Sequence, residues 1–277
     1  MGTQTDCFIR EMIQVMKETY KKDLTIYDEA FLEKSLQRRI TGIAVSQSDY
    51  PSYLQANSHE ADRLMASFQI TYSQFFRNSL TFAVLEQLVL PHLFSQKPEN
   101  GEIRVWSAGC STGQEAYSIA ILLEELISSS SKPMRFRIFA TDLSREALGT
   151  ARTGIFDADS VLNIRMKYLK NYFAKQGEVY AVAPGLKEKI DFSEYDLLDP
   201  HSSNPPDSIF GDFDIIFCCN LLFYYRTDVR RSIVRKLKRS LAEGGYLVTG
   251  EAESIFIGKD EELKILPSGA PVFKINQ

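Results

Sequence analysis

The feature that most constrains this chain is a change in the period of its apolar residues near position 100. Before it, Phe8, Ile9, Met12, Ile13, Met16 and Tyr20 recur at helical spacing, as do Phe31, Leu32, Leu36 and Ile40 ahead of a C-cap at Gly42. Further helices are predicted over 50–56, 60–68 and 80–94, the last broken at Pro91. After it, β-branched runs alternate with helical patterns: strand 103–107, helix 114–128, strand 136–141, helix 144–152. Such alternation builds a parallel sheet from βαβ units. The turn formers SQKPENGE at 95–102 read as the linker. Residues 1–94 are thus predicted to form a helical domain, and 103–277 an α/β domain.

The α/β pattern has one interruption and one unusual end. Residues 172–193 read as a hairpin feeding a further strand, with Gly177 and Pro184-Gly185 as turns, which makes a small β insertion at about 172–190. A buried strand at 213–218 is followed by a helix striped with Val229, Ile233, Leu237 and Leu241, then Gly244-Gly245 and a strand at 246–249. The tail, 263–266 and 271–275 around Ser268-Gly269, reads as an antiparallel hairpin.

Composition narrows the partners. With 44% apolar and 25% charged residues, the chain can bury a full core and is not a disordered or repetitive sequence. A formal charge of −4 supplies no global field for nucleic acid. No apolar run reaches the ~18 residues of a membrane span, and the start has no signal-peptide apolar core, so the expected location is the cytoplasm. Gly2 does not suit myristoylation, because the sixth residue is Asp6 rather than a hydroxyl. Cys7, Cys110, Cys218 and Cys219 contain no CxxC pair, so neither a disulfide framework nor a metal site is expected.

Four segments carry chemistry. In VWSAGCSTGQEAYSIA a strand ends, Gly109 and Gly113 form a loop, and a helix opens near Gln114, which lets backbone approach a ligand closely. No Lys-Ser or Lys-Thr follows Gly113 and the three-glycine dinucleotide fingerprint is absent, so a nucleoside without a long phosphate chain fits best. Asp142 ends the next strand, where an acid can take ribose hydroxyls or cap the following helix. In FDIIFCCNLLFYY a buried strand ends in Asn220 and then presents Leu221, Phe223, Tyr224 and Tyr225, an amide with aromatics beside it. In QITYSQFFRNSLTF, Arg77 follows Phe75 and Phe76, whose burial would hold its guanidinium as a carboxylate clamp.

Together these segments resemble the CheR family of chemotaxis protein-glutamate O-methyltransferases, over 67–84, 103–124, 138–156, 191–199 and 213–255. The resemblance implies a Rossmann-like class I methyltransferase sheet with a C-terminal antiparallel hairpin, behind an all-α N-terminal domain. It implies S-adenosylmethionine as cofactor, S-adenosylhomocysteine as product, and chemoreceptor cytoplasmic helices as substrate, methylated on glutamate; a monomer is expected. Arg77 and Glu115 match family positions that contact cofactor or substrate, Asp142 the ribose-binding acid, and Tyr224 the tyrosine four residues beyond the asparagine of CRN. Arg77 and Tyr224 are thereby expected to act in catalysis. Thr71, Ser73, Arg77, Gly109, Glu115, Asp142, Asp196, Leu197, Asn220 and Leu221 are expected to bind the cofactor.

The sequence departs from the family at several places. Ser73 stands for threonine and Thr71 for asparagine; Cys219 replaces the arginine of CRN, Asp196 the asparagine of NLL, and Ala252 lies between Glu251 and Glu253 where the family has HSE. KQGEVY lacks the GxG loop that captures a receptor's terminal pentapeptide in some members, so tethering is not expected. Lys34, Arg38 and Arg39 either dock an acidic helix or face solvent; Arg231, Arg235 and Arg239 read as solvated surface. A methyltransferase for another protein or a small molecule, or a non-catalytic sensor of the cofactor, are the alternatives.

Overall fold

The computed structural model describes residues 2–208, 210–258 and 260–276, with side chains from Cys7 onward. It forms two compact units: the chain up to Ile70 with Leu222–Arg231, and Thr71–Leu221 with the chain from Ser232 onward. Among the described residues, no helix is long and apolar enough to cross a membrane.

In the first unit, α1 (Gly2–Tyr20), α2 (Glu29–Ile43), α3 (Tyr50–Ala56) and α4 (Ser58–Ser67) follow in order. Their predicted stripes close one core, with Met12, Met16, Leu24, Leu32, Leu36, Leu54 and Leu64 buried. Helix α2 does not stop at Gly42: it runs to Ile43 and turns left-handed at Ala44, φ 55°. Inside this core Glu60 is only 2% exposed, and its carboxylate accepts Nε and Nη2 of Arg39 at 2.7 and 2.6 Å and the Tyr50 hydroxyl at 2.8 Å. Arg39 is thus consumed internally, and of the basic helix face only Lys34 and Arg38 are exposed. Returning chain joins the same unit: the Asp28 amide donates to Tyr224 O at 2.8 Å and the Arg226 amide to Ile26 O at 3.0 Å.

The second unit begins at Thr71, 24 residues before the linker predicted at 95–102. Helix α5 (Ser79–Val84), a π turn at Leu85–Val89 and α6 (Leu90–Gln96) bury Phe82, Leu85, Val89, Leu90 and Leu93 in the core of the sheet, so residues 71–94 belong with the sheet. The predicted break at Pro91 does not occur. The π turn directly precedes it, where a regular turn would set the proline ring against the carbonyl four residues back.

Strands and helices then alternate: β1 (Glu102–Ala108), α7 (Gln114–Ser128), β2 (Arg135–Asp142), α8 (Arg145–Thr153), β3 (Ile155–Asp157), α9 (Met166–Tyr172), β4 (Phe173–Gln176), β5 (Val179–Val182), α10 (Pro184–Lys187), β6 (Ile190–Glu194), β7 (Phe213–Cys218), α11 (Thr227–Ser240), β8 (Leu241–Thr249), α12 (Ser254–Ile257), β9 (Leu263–Ile265) and β10 (Val272–Ile275). The main sheet has the order β6-β2-β1-β7-β8-β10-β9. The first five strands pair in parallel, and β10 lies antiparallel to both β8 and β9, as the tail pattern predicts. The chain order reverses between β1 and β7, the switch point at which open α/β sheets hold ligands. The β insertion is larger than predicted, because β3 joins the hairpin as β3-β5-β4. Strand β8 starts before Gly244-Gly245, not after it. A register shift in its pairing with β7 takes up the extra residues, and a Cβ on Gly245 would meet Phe213 O at 3.0 Å.

Burial pushes the Glu60 carboxyl up, but hydrogen bonds from Arg39 and Tyr50 outweigh it and leave it below its usual value. The ion pair therefore stabilises the helical unit fully above about pH 4.5, and the stabilisation is lost as pH falls through the depressed value. Glu60→Ala, which strands a partly buried guanidinium, is expected to cost about 3 kcal/mol at pH 7 by urea denaturation.

Candidate active site

At the carboxyl ends of β1, β7 and β8 lies a cavity of about 370 Å³, a size suited to a nucleoside-sized ligand. Three strand ends build it. After β1, Gly109, Cys110 and Ser111 supply a backbone wall; after β7, Cys219 and Asn220; after β8, Gly250, Glu251 and Ala252. Tyr72, Ser73, Arg77, Asn78, Thr81 and Phe82 complete it from the segment that leads into α5, and Glu115 enters from the first turn of α7.

The glycine loop uses backbone angles that side chains rarely adopt. Gly113 caps α7 at φ 92°, and a Cβ there would come within 2.9 Å of Ala151 Cβ on α8. Gly109 has φ 82°, and a Cβ there would meet the Leu221 side chain at ordinary contact distance. The loop is also tied down: the Ser111 amide donates to Asp142 at 2.8 Å and its hydroxyl to Thr71 O at 2.7 Å.

Arg77 sits between two left-handed residues, Phe76 at φ 53° and Asn78 at φ 62°. That conformation is costly for an aromatic residue, so other contacts must hold it. The Phe76 amide donates to the buried Ser118 hydroxyl at 2.9 Å, and its ring packs on Phe82 and Tyr168. Phe75 is wholly buried, edge-on to Phe156 and Phe173. Phe75 is buried as the sequence suggests, whereas Phe76 is only partly buried, and the Arg77 guanidinium is exposed and lies over the Tyr72 ring, 5.2 Å from its centroid.

Glu115 carries the electrostatic tension of the site. Burial raises its carboxyl to about 7, helped by the negative Glu253 and opposed by hydrogen bonds from Ser107 and Cys219 and by Arg77. The Ser107 hydroxyl donates to it at 2.7 Å. Burial also pushes the Cys219 thiol far up, with Glu115 and Glu253 adding to it, so the thiol stays neutral. Glu253 is fully buried and accepts the amides of Asn220, Leu221 and Gly250 at 2.7, 2.7 and 2.8 Å.

Of the residues predicted for the site, Ser73, Arg77, Gly109, Glu115 and Asn220 line the cavity together. Thr71 and Leu221 are outside the lining: Thr71 O accepts the Ser111 hydroxyl, and the Leu221 side chain lies where a Cβ on Gly109 would meet it. Asp142 is outside the lining: its two oxygens accept the amides of Ser111 and Ser144. The helix that follows is capped by Ser144, which accepts from Ala147 N, so Asp142 does not serve as that cap. Asp196 and Leu197 follow β6, two strands from β1, and are also outside the lining. Tyr224 belongs to the first unit, its ring 4.7 Å from that of Phe31. Ser118 and Thr81 escaped the sequence reading. Ser118 follows Gln114 by one helical turn on the buried face of α7, and that spacing was the available signal.

A family model described as the CheR methyltransferase, SAM binding domain, matches residues 71–270. The chemotaxis protein methyltransferase of Listeria innocua is 30% identical over 258 residues, covering 91% of this chain and 92% of that protein. The chemotaxis protein methyltransferase of Borreliella burgdorferi is 32% identical over 230 residues, covering 80% and 78%. An uncharacterised 104.1 kDa protein of Rhodobacter capsulatus is 27% identical over 253 residues; they span 90% of this chain but 26% of that one.

A carboxyl raised from 4.5 to about 7 stabilises the fold fully below pH 4.5, and the stabilisation is lost as pH rises through 7. Glu115→Gln mimics the protonated form, so it is expected to raise the melting temperature of the ligand-free protein at pH 8 by about 5 °C and to leave it unchanged at pH 4.5. Scanning calorimetry at both pH values checks the sign.

Proposed function

The chain belongs to the CheR methyltransferase family, and from that membership we propose that it methylates glutamate side chains in the cytoplasmic domain of a chemoreceptor, leaving methyl esters and S-adenosylhomocysteine. It is an S-adenosylmethionine-dependent enzyme. When bound, that cofactor supplies a methyl group already activated on a sulfonium, which passes by direct displacement to a carboxylate oxygen while the S–CH₃ electron pair returns to sulfur. The observation that carries the reading is the pairing of Arg77 with Glu115 in one cavity at the switch point of the sheet. A zwitterionic amino-acid group beside a nucleoside needs one cation and one carboxylate set apart in this way.

The protein's own part is alignment and charge. Glu115, ionised once a cation meets it, takes an ammonium, and the Gly109 backbone admits a flat or sugar-bearing group without a side chain in the way. Asn220 offers an amide at the end of β7. Asp142 keeps lone pairs on both oxygens beyond the two amides it accepts, so it can still receive ribose hydroxyls while it shapes the loop. Asp196 and Leu197 act on the adenine side in this scheme. Arg77 fixes a carboxylate through its planar fork, and Tyr224 bears on the acceptor. Holding the acceptor oxygen in line with the reacting carbon supplies most of the acceleration, since the leaving group needs no further activation. The enzyme acts in the cytoplasm as a monomer, without a pentapeptide tether, on helices that carry acidic residues.

Incubation with methyl-labelled S-adenosylmethionine and chemoreceptor cytoplasmic fragments is expected to place base-labile label on the receptor. Label on other proteins only, or none despite cofactor binding, refutes the receptor assignment. Arg77→Ala is expected to lower turnover at least ~100-fold; S-adenosylhomocysteine affinity, read by titration calorimetry, falls about tenfold or more where Arg77 holds the cofactor's α-carboxylate and changes by less than tenfold where it holds the acceptor's. Turnover left intact removes Arg77 from the chemistry.

A further inference from the structure

Thr81 is only 3% exposed, yet its hydroxyl has no hydrogen-bond partner among the described residues, and it lines the cavity. A buried hydroxyl left unpaired costs about 1–3 kcal/mol, and valine would fill the same space without that cost. Threonines in helices ordinarily escape it by donating to the carbonyl four residues back, as Thr41 does to Gln37 O at 2.9 Å. Thr81 has no such carbonyl in place. Helix α5 begins only at Ser79, and the residue four back is Arg77, in the turn bracketed by two left-handed residues. The Asn78 side chain caps the helix by accepting the Thr81 amide, which leaves the Thr81 hydroxyl out of the capping as well. Among the described residues two other buried side-chain atoms share its condition, Ser193 Oγ and Asn276 Nδ2, but neither lines this cavity.

We infer that the Thr81 hydroxyl is a ligand-binding group, donating a hydrogen bond to the carboxylate that Arg77 holds, an inference that rests on the function proposed above. The charges in the wall select that partner. Arg77 is the cation contributed with Thr81 by the segment around α5, whereas the acids Glu115 and Glu251 come from the first turn of α7 and the end of β8. A neutral donor next to the cation adds a charge-assisted bond to an anion and brings no charge of its own. Two carboxylates meet in this reaction: the α-carboxylate of the cofactor's amino-acid portion and the γ-carboxylate of the acceptor glutamate. The same hydroxyl chemistry suits either.

Thr81→Val removes the hydroxyl at constant volume, and Thr81→Ser restores it. In the full chain, Thr81→Val is expected to keep or raise the melting temperature while weakening a carboxylate ligand about tenfold. If the α-carboxylate is the partner, the Kd of S-adenosylhomocysteine rises about tenfold. That of 5′-methylthioadenosine, which lacks the amino-acid portion, stays unchanged. If the acceptor is the partner, S-adenosylhomocysteine binds as before and the KM for receptor fragments rises about tenfold. Thr81→Ser recovers the affected constant in both cases. Unchanged constants throughout, or a lowered melting temperature that Thr81→Ser repairs with no change in either constant, overturn the inference and make Thr81 a packing residue. A wild-type chain that binds neither nucleoside overturns the proposed function beneath it.

Discussion

One buried carboxylate organises the floor of the site. Glu253 has no exposure to solvent and gathers three backbone amides, those of Asn220, Leu221 and Gly250, so the ends of β7 and β8 are locked in a single geometry. Two of the three partners are shaped for it. Asn220 is left-handed at φ 59°, and a Cβ on Gly250 would sit 2.8 Å from the Glu253 carboxylate and 2.9 Å from Asn220 Nδ2. Charge-assisted bonds from several amides are what allow a charge to remain in such a place. That charge acts beyond the clamp, because it is the negative neighbour that helps raise Glu115. Structural order and binding electrostatics therefore have a common source.

The position of Cys219 sharpens this coupling. Where the family resemblance expects arginine, a neutral thiol lines the cavity, so Arg77 is left as the cation that opposes the two acids. A second guanidinium would pull the Glu115 carboxyl down. Glu115 instead stays near half-protonation at neutral pH, and ligand charge decides its state.

The sheet was legible because its signals are local and repeated. Helix α7 and strand β7 begin and end where periodicity predicts, since each is bounded by glycine or polar turn residues and has an unbroken apolar face. Residues 71–94 were misassigned for the converse reason: an amphipathic helix shows that it buries a face, but not against which core. Pro91 and Gly244-Gly245 misled because a π turn and a register shift absorb residues that otherwise end an element. In the site, Arg77, Glu115 and Asn220 could be read from their places at strand and helix ends. Asp142 could be placed but not partnered, because its amides come from a loop that folds back onto it.

Arg77 owes its aim to neighbours that cannot be exchanged one at a time. An aromatic residue at positive φ survives at 76 because Ser118 holds its amide and Phe82 and Tyr168 hold its ring. A β-branched residue at that position would clash with its own backbone, and a glycine would give up both ring contacts. Substitutions at 76, 82, 118 and 168 therefore act on one another through a single strained turn, and the cost of any pair differs from the sum of its two single costs. A short surface arginine motif thus inherits the rigidity of a protein interior.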